Sequence, residues 1–351
     1  LSLNKNKYNL LPNNYIYNTQ SKINSMNNSA YIDTFFSYIA SNITLKKKLP
    51  SFPLYYGCSN GIIDEFLYDI SEELLDFEKE KWFSKFKKKN FNVYELYDSD
   101  SDDSEIDYDY ISSFENHPVQ ALFIEKLDGT FDDLLYDNYN MVDFNKVLSC
   151  LFQTIFTLIY LQTKYHFIHN DLHVENIMYK KTKIKFLYYK YKNKYFKVPT
   201  YGYIFKIIDF GRSIFKYKNK LFYNDSFSNN GEAGGQYAYP DHLLFLNNNN
   251  KYKPNYNFDM CRLSITILES IDFDLTDKIK DININKIIKF IYSMTIDKYN
   301  NSFYDSDQDF QLYIDITNNA NNSLPSKLIL NDIFKKYRIK KNKLPRKYYK
   351  I

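Results

Sequence analysis

The segment from Phe144 to Asn176 constrains the chain more than any other. Phe144, Val147, Leu148, Leu151, Phe152, Ile155, Phe156 and Ile159 recur at helical spacing and form a wide apolar stripe, so a long, largely buried helix is expected over 144–161. A polar run follows directly: His169-Asn170-Asp171-Leu172-His173-Val174-Glu175-Asn176. The strand-like Ile177-Met178-Tyr179 comes next. A second polar cluster, Asp209-Phe210-Gly211, closes another strand-like run, Tyr203 to Ile208. Each polar cluster therefore sits at the end of a rigid element.

The rest of the composition sets limits. At 351 residues and 44% hydrophobic, the chain can fill one two-lobed unit or two small domains. A net charge of +4 is close to balanced and argues neither for nucleic acid nor for a membrane surface. Cys58, Cys150 and Cys261 are far apart, have no metal-type spacing and read as buried thiols in a reducing compartment. The polar start, Leu1 to Asn14, has no secretory pattern. The most apolar stretch, Val147 to Leu161, is broken by Ser149, Gln153 and Thr157 and is shorter than the roughly 20 residues of a membrane span. A soluble cytoplasmic protein is expected, with no membrane partner. The excess of Asn, Lys, Tyr and Ile, with arginine only at 212, 262, 338 and 346, fits an AT-rich genome. Many lysines and asparagines then carry little functional meaning. The Leu1 start leaves a fragment open.

Along the chain, residues 1–28 are Asn-rich and weakly patterned. A helix is expected from Ala30 to Ile43, with Ile32, Phe35, Phe36 and Ile39 on one face, and a short strand at Leu54 to Gly57. Ile62 to Leu75 reads as an amphipathic helix through Ile63, Phe66, Leu67, Ile70 and Leu74. Asp98 to Asp109 is acidic, has little to bury, and reads as a disordered insertion offering Ser99, Ser101 and Ser104. Val119 to Glu125 is strand-like. The Lys/Tyr-rich stretch from Lys180 to Thr200 is expected to extend a hairpin away from the core, and Phe258 to Leu268 to form a central helix. Strands early and helices late give an α+β protein with two lobes.

The spacing His169-x-Asp171-x-x-x-x-Asn176, followed after a strand by Asp209-Phe210-Gly211, resembles the catalytic and metal-binding loops of eukaryotic-type protein kinases. The resemblance covers roughly residues 30–340. Within that family the chain is most similar to the kinase-like proteins of large DNA viruses, through its Asn-Asp-Leu-His loop, its Asp-Phe-Gly-Arg-Ser run and the segment Gly231 to Tyr237. It implies transfer of the ATP γ-phosphoryl group, a reaction that needs in-line positioning and charge neutralisation more than covalent help. Asp171 would then accept a hydrogen bond from the attacking hydroxyl, and Asn176 and Asp209 would hold Mg²⁺. Phe123 to Leu127 resembles the hinge, where the backbone of Glu125 and Leu127 would meet adenine. Asp259 would brace the catalytic loop. Pro240-Asp241 loosely matches the end of an activation segment.

The family pattern breaks in five places. No glycine precedes Gly57, so the Gly-rich phosphate loop is missing. The strand lysine and its helix glutamate have no clear match; Lys7, Lys22 and Asp33 are the nearest substitutes. Asn170 replaces the catalytic-loop arginine, which removes the cation that reads a phosphorylated activation loop. His173 stands where most protein Ser/Thr kinases have lysine, as it does in kinase-fold enzymes of small molecules, and could hydrogen-bond the transferring group, more so if protonated. The spacing from Asp171 to Asp209 is long, and its basic, aromatic content reads first as a solvated hairpin, secondly as a surface for an acidic partner or nucleic acid.

The sequence therefore predicts a bilobal protein-kinase-like fold. A small β-containing N-lobe over 1–127, with its acidic insertion at about 98–109, precedes a mainly helical C-lobe over 128–351, with the site between them. The expected activity is ATP- and Mg²⁺-dependent phosphorylation of protein Ser/Thr hydroxyls by Asp171 and His173, with Glu125 and Leu127 binding nucleotide and Asn176 and Asp209 binding metal. The partner is a protein substrate, nucleic acid is not expected, and a viral protein would work in the host cytoplasm. Two alternatives stand beside it: a small-molecule kinase of the same fold, and a pseudokinase that binds partners without turnover.

Overall fold

The computed structural model describes residues 25–70, 92–97, 108–135, 142–227, 233–237, 254–274, 279–304 and 310–351. The chain is α+β, and its described residues divide into two units, one within 57–123, the other within 26–56 and 124–351.

The smaller unit is built on a three-stranded sheet of order β1-β3-β2, from β1 (Tyr55–Asp69), β2 (Asn92–Tyr97) and β3 (Tyr108–Ile124). The helix predicted over Ile62 to Leu75 is not formed as far as the chain is described: strand β1 runs to Asp69, and the Ile70 N–H donates to the Tyr110 carbonyl at 2.8 Å. The run is short enough to fit both periods, and its Ile and aromatic residues suit a pleated surface once a long partner strand supplies the backbone bonds. Residues 71–75 and 98–107, the latter most of the predicted acidic insertion, lie outside the described residues, whereas Tyr108 and Asp109 already belong to β3.

The larger unit starts with α1 (Ser29–Leu45). Its N-terminus is capped by Asn28, whose side chain accepts from the Ala30 N–H, and Ile32, Phe36, Ile39 and Ile43 are buried. The central element is α2 (Phe144–Tyr165), capped by Asp143 and ended by His166 in the left-handed region at φ 49°. Its length and apolar content would suffice for a membrane span, yet 89% of that window is buried inside the protein, as expected of a core helix. β4 (Gly129–Thr130), β5 (Ile177–Lys181) and β8 (Tyr203–Ile207) form one sheet in the order β4-β5-β8. Between β5 and β8 the chain makes the hairpin β6 (Phe186–Tyr191) and β7 (Lys194–Pro199).

That hairpin does not extend away from the core. Leu187, Tyr189, Tyr191, Phe196 and Val198 are buried, and the Phe152 ring of α2 lies 5.3 Å from Tyr189 and 5.0 Å from Phe196. Aromatic residues on both faces hide this period-two alternation from a composition-based reading. After a short hairpin, β9 (Phe215–Tyr217) with β10 (Lys220–Phe222), the remainder is mostly helical: α3 (Phe258–Ser270), α4 (Ile282–Ser293), α5 (Gln311–Asn319) and α6 (Pro325–Leu328). Two short strands, β11 (Arg338–Ile339) and β12 (Tyr349–Lys350), complete a sheet of order β11-β7-β6-β12.

Candidate active site

The loop after α2 is fixed from below by α3. Asp259, in the first turn of α3, is buried, and its carboxylate accepts the backbone N–H of His169 at 3.0 and 3.1 Å and that of Asn170 at 3.1 Å. Burial pushes the Asp259 carboxyl pKa up, and His169 and the backbone donors pull it back down. This is the bracing expected of Asp259. Asn170 is fully buried and has φ 66°, a conformation that Asn tolerates better than most residues. Its amide donates to the Arg212 carbonyl at 3.0 Å and accepts from Gln236 and from the Tyr237 hydroxyl. A neutral amide thus ties the loop to two later segments at the position where an arginine was looked for. Gly231, Glu232 and residues 238–241 of that later segment are outside the described residues.

Hydrogen bonds draw the two polar motifs together. His169 Nε2 bonds to the Ile208 carbonyl at 2.9 Å, and the Ile208 N–H donates to the Asn176 carbonyl at 3.1 Å. Asn176 Nδ2 donates to the Asp171 carbonyl at 2.9 Å and meets His173 Nε2 at 2.8 Å. The second contact requires His173 Nε2 to be the acceptor, so its proton sits on Nδ1, which lies 3.7 Å from Glu175. Both contacts use the amide nitrogen, and Asn176 Oδ1 takes part in neither. Asp209 sits at φ 56°, and its Oδ1 accepts the Gly211 N–H at 3.2 Å. Among the described residues no three His, Cys, Asp or Glu gather into a metal-type cluster. Asp209 and Asn176 each carry a hard oxygen of the kind Mg²⁺ takes when its other ligands are waters and substrate phosphates.

Burial lowers the His173 pKa, with Asp171 and Glu175 opposing it. A histidine whose folded pKa lies below its unfolded value contributes full stability above about pH 6.5 and loses it as pH falls through the folded value. The His173 contribution to unfolding free energy is therefore expected to decline from pH 7.5 towards pH 5, read as the difference between urea titrations of the wild type and His173→Gln, with the raised Asp33 and Asp259 carboxyls acting in the opposite sense in both.

Three rings, Phe36, His169 and Phe210, pack together at tilted angles. Phe210 lies 4.9 Å from Phe36 of α1 and 5.7 Å from His169. Asp33, on the same helix, accepts the Phe210 N–H at 2.8 Å, and burial raises its pKa. Asp33 is therefore spent on the backbone of the second motif; Lys7 and Lys22, its candidate partners, lie outside the described residues.

Glu125 has a partner that no motif predicts. Lys206, inside the apolar strand β8 and 6% exposed, reaches Glu125 Oε2 and the Phe52 carbonyl, each at 2.9 Å. Glu125 also accepts the Leu54 N–H at 3.2 Å and donates its own N–H to the Leu54 carbonyl at 2.7 Å. Leu127, two residues on, is buried. Removing one partner of a buried pair leaves the other charge uncompensated. Glu125→Ala is expected to cost about 3–5 kcal/mol in urea unfolding, and Glu125→Leu with Lys206→Met to recover most of it.

A cavity of about 500 Å³ opens beside Asp171, with Asp132, Glu175, Arg212, Arg262 and Tyr313 on its wall. The Tyr313 hydroxyl donates to Asp171 Oδ1 at 3.0 Å and accepts from Arg262 Nε at 3.4 Å, and the guanidinium groups of Arg212 and Arg262 lie 5.1 and 5.4 Å from its ring centre. Two of the four arginines in the chain thus converge here. Tyr313, one of 36 tyrosines, carries no sequence signal; the rarity of arginine could have flagged the other two.

With this geometry in view, comparison with known proteins adds one relative. It is a protein of Acanthamoeba polyphaga mimivirus whose name proposes a serine/threonine-protein kinase, 31% identical over 204 residues. The relationship is kinase-like. The aligned part is 54% of this chain and 47% of the relative, so the chain spans about half the length of the curated protein it matches. No family model matches the chain.

Proposed function

We propose that the chain adopts a bilobal protein-kinase-like fold and transfers the γ-phosphoryl group of ATP to serine or threonine hydroxyls of proteins, with Mg²⁺. The observation that carries this reading is the bonded unit Asp171–Asn176–Ile208, which draws the two motifs into one site. Asp171 accepts the hydrogen bond of the acceptor hydroxyl, whose oxygen attacks the γ-phosphorus as the bond to the β,γ-bridging oxygen breaks. Asn176 and Asp209 hold Mg²⁺, which supplies neutralisation of phosphate charge. His173 acts through Asn176, fixing its amide. The carbonyl of Glu125, whose N–H is already bonded, and the backbone of Leu127 meet the adenine edge.

The mimivirus relative supports a protein acceptor through its name. A small-molecule acceptor is favoured by His173 in place of lysine. The cavity beside Asp171 carries Arg212 and Arg262 on its wall, the latter 3.9 Å from Glu269. A guanidinium there would suit an acceptor with a carboxylate or phosphate next to its hydroxyl, which acidic peptides and phosphorylated metabolites share.

The test is transfer of ³²P from Mg-ATP by the wild-type chain and by Asp209→Asn, with a generic protein substrate and a metabolite panel. Protein labelling in the wild type that falls at least 100-fold in Asp209→Asn is the expected result. ADP release only with a metabolite would move the reading to a small-molecule kinase. No turnover by the folded chain, alone or extended at its N-terminus, would leave a binding module.

A further inference from the structure

We infer that the outer face of the β11-β7-β6-β12 sheet binds single-stranded nucleic acid. Two segments far apart in sequence make this sheet. Residues 180–208 carry nine lysines, and residues 333–351 carry seven lysines and two arginines; neither segment holds a single Asp or Glu. Together they take eighteen of the 46 basic residues and none of the 42 acidic ones. The remaining residues are then left with 28 basic against 42 acidic side chains, so the near-neutral total hides a strongly polarised chain. An AT-rich genome does not account for this, because Asp and Glu are common elsewhere in the chain.

The fold joins strands of the two segments in one sheet, whereas Lys180, Lys181 and Lys206 lie in the neighbouring β4-β5-β8 sheet, where Lys180 pairs with Asp128 and Lys206 with Glu125. The inner face of the sheet is spent on the core through Leu187, Tyr189, Tyr191, Phe196 and Val198. The alternating residues face outward, and the register arranges them in rows. One row runs Ile339, Tyr195, Lys190, Lys350 across all four strands; the next pairs Tyr188 with Lys197; the third pairs Phe186 with Pro199. Phe186 is 36% exposed, and the Lys197 ammonium lies 3.9 Å from its ring centre. Lys340, Lys341, Lys343, Arg346 and Lys347 are exposed along the connection between β11 and β12. The flanking acid, Asp332, is already held by Lys335 at 2.7 Å.

Rings interleaved with cations decide the class of partner. A polyanion without rings, such as an acidic peptide or a lipid surface, would use the lysines and leave Phe186, Tyr188 and Tyr195 idle. A single-stranded polynucleotide uses both, its phosphates on the cations and its bases stacked on the rings. Successive rows along β6 are about 6.8 Å apart, a step that an unstacked nucleotide can match. No base-edge readout is built into such a face, so binding is expected to be tolerant of sequence.

The test is fluorescence anisotropy with a labelled 12-nucleotide oligouridylate and the full chain. Binding in the micromolar range at about 50 mM salt is expected, weakening steeply towards 200 mM. Phe186→Ser with Tyr188→Ser and Tyr195→Ser is expected to weaken it at least tenfold without changing the salt slope. Lys190→Gln with Lys197→Gln and Lys350→Gln is expected to lower the slope by about two. These side chains all lie on the outer face, and a thermal melt checks that each variant folds. Absence of oligonucleotide binding by the wild type would overturn the proposal. So would equal competition by poly-glutamate or phosphatidylserine vesicles together with an unaffected ring variant, the behaviour of a general anion surface.

Discussion

Asp171→Asn is expected to fold normally and to lose about 10²- to 10⁴-fold in phosphoryl transfer, roughly 3–5 kcal/mol of transition-state stabilisation. The asparagine oxygen can still accept the Tyr313 hydroxyl, the contact that holds the Asp171 side chain at 3.0 Å. The Asn176 bond to residue 171 is to its backbone carbonyl and is indifferent to the substitution. What disappears is a carboxylate oxygen able to take the hydroxyl proton. With Oδ1 occupied by Tyr313, that oxygen is Oδ2. Single-turnover labelling separates this loss from binding: the rate of transfer falls while nucleotide affinity stays within a few-fold of wild type. Equal transfer by the variant would remove Asp171 from the proposed chemistry.

Asp259→Ala is expected to act on the fold itself. It leaves the His169 and Asn170 N–H groups buried with no acceptor, at about 1–3 kcal/mol each, and opens space beneath the loop. A loss of about 2–6 kcal/mol follows, which is much of the stability of an ordinary domain. Urea unfolding with far-UV detection reads it directly. Asp259→Asn keeps one carbonyl oxygen for these donors and is expected to lose less. If Asp259→Ala melts with the wild type, the carboxylate is not what holds the loop.

The roles of these two residues came from the kinase resemblance, carried by the tight motif spacing around Asp171 and by the Phe258–Leu263 run; on its own Asp259 reads as an acid at a helix N-terminus. α1 and α2 were legible because each carries a helical period, and β5, β8 and α3 because each is a compact apolar run. What escaped is long-range. The ion pair Lys206–Glu125 joins residues 81 apart, and a single lysine in a Lys-rich chain draws no notice unless its place inside Phe205-Lys206-Ile207-Ile208 is weighed. Tyr313 reaches Asp171 across 142 residues. The misreadings of β1 and of the β6–β7 hairpin have the same origin. In both, a partner distant in sequence decides what a locally ambiguous run becomes.

The sheet that carries the basic face also sets an order of assembly. β6 and β7 are adjacent in the chain and pair through a tight turn, whereas β11 and β12, which flank them, are synthesised only after α3, α4, α5 and α6. Closing so large a loop costs chain entropy that local contacts do not repay, so the outer strands join late. Until then the hairpin presents two open edges on the ribosome, the state in which strands recruit strangers. The lysines at 183, 185, 192 and 194, at its two ends, place like charges on any hairpin that would stack against it. The same charges that would later meet phosphate thus keep nascent chains apart.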